Sequence, residues 1–148
     1  PDSLNYVIND MFETITLYQN RITDVKSTAL ENGKYQVDIE FEVSKYRNDE
    51  KGKKFYAEKA GDTLSYTPAD KEISIISVKL QDYIDIGIFT EEEVDGKKKE
   101  VALYLQKHKI TQINNKITII VDKKPTEVGI DPYNKLIDTQ SNDNRQKL

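Results

Sequence analysis

Tyr35-Gln36-Val37-Asp38-Ile39-Glu40-Phe41-Glu42-Val43-Ser44 alternates apolar and polar side chains without a break. Successive side chains of a strand point to opposite faces. Tyr35, Val37, Ile39, Phe41 and Val43 therefore share one face, and Gln36, Asp38, Glu40, Glu42 and Ser44 share the other. That is the pattern of a strand with one buried and one wet face, the usual state of antiparallel sheets.

Outward from this stretch the signals repeat. Asn32-Gly33 precedes it, and both residues tolerate positive φ, which predicts a type I′ hairpin turn to an earlier strand over about 21–31. Asp95-Gly96 and Asn114-Asn115 give two further turn signals between alternating runs. Phe55–Ala60 reads as a short, lysine-flanked edge strand. Ile73 to Leu80 changes phase between Ile75 and Ile76, which predicts a bulge. Ile84, Ile86 and Ile88 alternate with Asp85, Gly87 and Phe89; Val101, Leu103 and Leu105 alternate with Ala102, Tyr104 and Gln106; Ile117, Ile119 and Val121 close the series. The sum is about seven short strands, the count of an immunoglobulin-like antiparallel β-sandwich.

One helix is expected before the strands. Leu4, Val7, Ile8, Met11, Phe12, Ile15 and Tyr18 recur at spacings of three and four, with Asp2 or Ser3 available to cap the first turn. The chain thus divides into an N-terminal helix over 1–20 that links to whatever precedes it, a β-sandwich over 21–138, and a polar tail over 139–148 expected to fray from Ser141 onward.

The 148 residues suffice for one domain with a single core. A net charge of −4 gives nucleic-acid binding no support, since that function concentrates basic charge on one face. Absence of Cys removes disulfides and cysteine metal sites. No stretch approaches the ~20 apolar residues that span a bilayer, so no membrane insertion by this segment is expected. The chain opens at Pro1-Asp2-Ser3 without an initiator Met, the opening expected of a piece of a longer protein.

Reactive groups are sparse. His108 is the only histidine, placed between Lys107 and Lys109 on the polar side of a strand, where a surface residue is expected. Zinc sites ordinarily take two or more His or Cys ligands, so no metal site is assigned. No Gly-x-Ser-x-Gly elbow and no phosphate loop occurs. Asn48-Asp49-Glu50 with Gly52 is a poor match to a calcium loop. Asp38, Glu40 and Glu42 read as a solvated face, and Glu91-Glu92-Glu93 against Lys97-Lys98-Lys99 as opposed charge across an exposed hairpin. A hydrolase built on paired carboxylates is the remaining enzymatic alternative. Lys51, Lys53, Lys54 and Lys59 could meet anionic lipid headgroups or keep an edge strand soluble. Tyr46, Tyr56, Tyr66, Tyr83 and Tyr104 offer material for a peptide- or glycan-binding module.

The most distinctive string is Pro125-Thr-Glu-Val-Gly-Ile-Asp-Pro-Tyr-Asn134, followed by Lys135-Leu-Ile-Asp138. Asp131-Pro132 starts a turn. Tyr133, Leu136 and Ile137 are apolar within an otherwise loop-like segment, so they either plug one end of the sandwich or dock on an adjoining domain. Asp131, Pro132, Tyr133, Asn134, Leu136 and Ile137 are the interface candidates.

PTEVGIDPYNKLID, with IDIGIF at 84–89 and LYLQKHKI at 103–110, resembles the C-terminal region of large Bacteroidetes membrane proteins. Those fuse an ABC-transporter-permease-like part to an M1-type (gluzincin) aminopeptidase-like domain. SLNYVINDMFETITLYQNR resembles the helical end of the peptidase side, and residues 60–76 look like an insertion relative to the family. The resemblance implies an accessory domain that packs against or positions an upstream aminopeptidase-like domain of the same polypeptide. It places the domain on the periplasmic side of the inner membrane, with any zinc held by the parent. The His-Glu-x-x-His helix of M1 peptidases has no counterpart here, so no catalytic, cofactor or metal residue carries over, and this chain alone is expected to be non-catalytic.

Overall fold

The computed structural model describes residues 15–48, 54–56, 63–66, 74–77 and 80–148. Among them are ten strands: β1 Ile15–Ala29, β2 Tyr35–Asn48, β3 Lys54–Tyr56, β4 Thr63–Tyr66, β5 Ser74–Ser77, β6 Asp82–Val94, β7 Lys97–Ile110, β8 Asn114–Val121, β9 Glu127–Ile130 and β10 Arg145–Lys147. The protein is mainly β, and every strand pair is antiparallel. The count exceeds the seven expected by β4, β9 and β10, each of four residues or fewer and so too short to show alternation.

β2 is the centre of the first sheet. It pairs along its whole length with β1, from Ile15↔Asn48 to Ala29↔Tyr35. Its other edge is shared: β8 takes Tyr35–Glu42 and β3 takes Tyr46–Asn48. The second sheet runs β10-β9-β6-β7, and β4-β5 form a separate two-stranded pair. Val37, Ile39, Phe41 and Val43 of β2 and Ile22 of β1 meet Ile84, Ile86 and Ile88 of β6 and Val128 and Ile130 of β9 in one core. Two sheets facing each other across a shared apolar layer make the architecture sandwich-like. On the wet face of β2, Glu42 pairs with Arg21 at 2.7 Å, Glu40 pairs with Lys116 at 2.7 Å, and Asp38 accepts from Thr118 at 2.6 Å.

Turn chemistry decided which hairpins formed as expected. Asp95 and Gly96 have φ of 53° and 72°, so both hold the left-handed region that a type I′ turn requires, and two residues join β6 to β7. At Asn32-Gly33 only Gly33 is left-handed (φ 79°), and the connection widens to Leu30–Lys34, closed by Leu30 N–H to Lys34 O at 2.8 Å. Asn114-Asn115 is not a turn. Both residues begin β8, and residues 111–113 carry the chain from the second sheet across to the first, where Val43 N–H bonds Ile113 O. The Asn115 amide donates to Gln112 O and Ile113 O, so it shapes this crossover rather than a hairpin.

Residues 15–20 and the C-terminal tail depart from expectation. Residues 1–14 of the expected helix over 1–20 lie outside the described residues. Residues 15–20 belong to β1, not to a helix: the β-branched Ile15 and Thr16 favour a strand, and the edge of β2 offers backbone partners. The polar tail does not fray. Ser141–Asp143 form a 3-10 turn, Asn144 is buried, and Arg145–Lys147 pair with Glu127–Gly129 of β9. The insertion read over 60–76 contains β4 and part of β5, and its remaining residues lie outside those described.

Candidate functional site

The interface candidates sit in the connection between β9 and β10, which straps one side of the sandwich. Its foundation is a cross-strand glycine pair. Gly87 of β6 lies directly opposite Gly129 of β9, and both face away from the core. With no side chain on either, the sheet surface has a notch, and Pro132 fills it. A Cβ on Gly129 would lie 2.8 Å from Pro132 Cβ; one on Gly87 would lie 2.5 Å from the Phe89 ring and 3.2 Å from Pro132 Cγ. This cover explains why β6 is buried on both faces, from Ile84 to Thr90.

Asp131 builds the turn that delivers Pro132. Its φ is 43° and that of Asn134 is 50°, the left-handed region that Asp and Asn enter most readily among non-glycine residues. Its N–H bonds Asp85 O at 2.8 Å, and its carboxylate accepts from the N–H of Lys135 at 3.0 Å and of Leu136 at 2.8 Å. Burial pushes the Asp131 carboxyl above its ordinary value, and the two backbone amides pull it part of the way back. Lys135 reaches back to Asp85 at 2.6 Å, a contact that holds the lysine above its usual range.

The second half of the strap docks on the other sheet. Tyr18 N–H bonds Ile137 O at 2.9 Å and Thr139 N–H bonds Tyr18 O at 3.0 Å, a parallel bridge onto the edge of β1. The Asp138 carboxylate accepts from Asn20 N–H at 2.9 Å, the Asn144 amide at 3.2 Å and Gln140 N–H at 2.8 Å. These three bonds offset an adjoining cost: both polar atoms of the buried Asn20 amide, and Oδ1 of Asn144 and of Asp143, have no hydrogen-bond partner among the described residues.

The candidates therefore separate by role. Asp131 and Pro132 are buried and hold the loop, and Leu136 packs against the core. Tyr133, Asn134 and Ile137 are exposed, Tyr133 at 50% and Ile137 at 68%. Tyr133 stands edge-on to Phe89, with ring centroids 6.2 Å apart, and the Arg145 guanidinium covers the same phenyl ring at 4.6 Å.

Three anchors of the site escaped the sequence reading: Asp85, Asp138 and an ion pair beneath them. Lys45 continues the inward phase of Val37 to Val43 and is fully buried. Its Nζ lies 3.0 Å from Asp82 Oδ1, to which Tyr18 OH also donates at 2.9 Å. The strict alternation of β2 was the available signal, since extending it by one step puts Lys45 inside. His108 also differs from expectation. It pairs with Ile84, so it shares the core-facing side of β7, where its Nε2 meets Tyr104 OH at 2.7 Å.

The remaining candidates are dispersed. Tyr46 is buried, Tyr104 is hydrogen-bonded and Tyr83 stands 61% exposed, so these three form no exposed row; the side chains of Tyr56 and Tyr66 lie outside the described residues. The lysines at 51, 53 and 59 and the weak calcium-loop match at 49–52 also lie outside them, as does the side chain of Lys54. An open groove of about 690 Å³ runs between β1 and β10, but its three lysines, Lys26, Lys124 and Lys147, are solvent-exposed. Among the described residues no three His, Cys, Asp or Glu side chains gather as a metal site, and no helix is long and apolar enough to cross a membrane. No family model, no curated protein and no solved structure matches this chain.

Proposed function

We propose that the chain is a non-catalytic accessory domain, an immunoglobulin-like sandwich. It docks through the strap at 131–137 on an aminopeptidase-like domain upstream in the same polypeptide, on the periplasmic side of the inner membrane. One observation carries the reading: the strap is tied to both sheets, yet its exposed tips are apolar. Asp131, Pro132 and Asp138 fix the backbone, and Tyr133 and Ile137 face solvent. A loop already held in its bound shape loses little conformational entropy on association. Buried aromatic anchors also carry a large share of interface energy. Three carboxylates of this region are engaged: Asp85 by Lys135, and Asp131 and Asp138 by N–H donors. They serve structure in this reading. The resemblance to the aminopeptidase-associated family supplies the neighbour.

The test is calorimetric titration of this chain against the neighbouring peptidase-like domain. Tyr133→Ser with Ile137→Ser should weaken association by about tenfold or more, equivalent to ~1.4 kcal/mol, while leaving the melting temperature near that of the wild type. Unchanged affinity in that variant, or no association of the wild type, would sink the reading. Peptidase turnover by this chain alone would do the same.

A further inference from the structure

β7 is the edge of its sheet: it pairs with β6 and with no other strand among the described residues. It also differs in charge from the rest of the chain. Five lysines stand against one acid, Glu100, in a protein whose formal net charge is −4. At the hairpin end this charge is answered. Lys98 binds Glu91 at 3.0 Å, and Lys99 stands opposite Glu92. At the far end it is not. Lys107 lies opposite Asp85, whose carboxylate is taken by Lys135, and Lys109 lies opposite Tyr83. Neither Lys107 nor Lys109 has an ion-pair partner among the described residues. Leu105, 39% exposed, follows on the same face opposite Gly87, and Tyr83 stands 61% exposed beside Lys109.

We propose that the free edge of β7 over residues 103–110 receives an extended acidic segment of a partner protein. The added strand would place carboxylates beside Lys109 and Lys107 and an apolar side chain beside Leu105. Strand addition supplies backbone hydrogen bonds, and side chains at alternate positions supply specificity. A strand at the ordinary spacing of ~4.8 Å sets its every second residue beside a β7 side chain on the same face. Two uncompensated lysines two residues apart therefore select an acid-x-acid pattern, and opposite charges across a strand pair favour that register. This edge adjoins the strap, which covers β6 and β9 and reaches Asp85 opposite Lys107, but it does not include the exposed strap residues Tyr133 and Ile137.

A fluorescein-labelled peptide with Glu at alternate positions, spaced by Thr and Val, is the probe, read by anisotropy against the full chain. Binding should weaken as salt rises. It should fall about tenfold in Lys107→Glu with Lys109→Glu, a pair of exposed substitutions whose fold is checked by circular dichroism. Amide exchange across residues 103–110 should slow when the peptide is bound. Tyr133→Ser with Ile137→Ser should leave peptide binding unchanged, which keeps this surface distinct from the docking strap. The proposal is overturned if the peptide does not bind, if the charge-reversed chain binds it equally, or if no β7 amide is protected. It is also overturned if the lysines engage only vesicles containing anionic phospholipid.

Discussion

Asp131 accepts two backbone N–H groups while burial works against its charge. Its folded pKa lies above the ordinary 3.8, so in the window just above that value the folded chain keeps a proton that the unfolded chain has released. Its contribution to stability must then fall as pH rises through the window. Asp131→Asn cannot titrate. Denaturant melts across the acid range should show the wild type losing stability relative to that variant as pH climbs from about 3.8. A flat difference curve would mean that the backbone amides fully cancel the burial. The turn at Asp131 was legible in the sequence because Asp-Pro starts turns by local rules. Asp138 was not, since its partner Asn20 N–H lies 118 residues away and no local pattern reports it.

In sequence the strap and strand β6 look like separate elements, but they form one unit. Gly87 looks like an ordinary interruption of an Ile-x-Ile-x-Ile run, and Gly129 looks like loop punctuation. Only the register shows them facing each other beneath Pro132. Gly87→Ala places a methyl group against the buried Phe89 ring and Pro132, an overpacking expected to cost about 1–3 kcal/mol in denaturant unfolding. The loss should come with faster amide exchange at Lys135 and Leu136 as the strap lifts. Wild-type stability in that variant would show that Pro132 can move aside at no cost. The strands themselves are legible where one face is wet, as in β2 and in Ile117–Val121 of β8, although the first residues of β8 carry a turn signal and β2 continues past its alternating stretch to Asn48. Legibility failed where local signals competed with partners far along the chain, as in β1, read as helix over 15–20, and β10, read as frayed tail.

Lys45 and Asp82 join the two sheets at the scale of the whole molecule. Lys45 is on β2, Asp82 begins β6, and Tyr18 of β1 both donates to Asp82 and carries the Lys45 ammonium 5.8 Å above its ring. Lys45→Met leaves a partly buried carboxylate without its cation and should cost about 3 kcal/mol, at the lower end for buried pairs because the Asp82 side chain is 16% exposed. Adding Asp82→Asn keeps an acceptor for Tyr18 and should recover much of that loss. Equal stability of the single and double variants would show that the charge pair does not couple the sheets. The strap reaches the same seam from outside, joining Tyr18 to residues 137–139. That closure orders events during biosynthesis. The edge of β1 is among the first parts of this chain to leave the ribosome, yet its bridging partner follows more than a hundred residues later. Contacts between such distant positions form slowly, because a long loop must close before they can stabilise anything. Until then the notch over Gly87 and Gly129 and the edge of β1 at Tyr18 lie uncovered, so a chaperone that shields this seam would be needed until translation passes the strap.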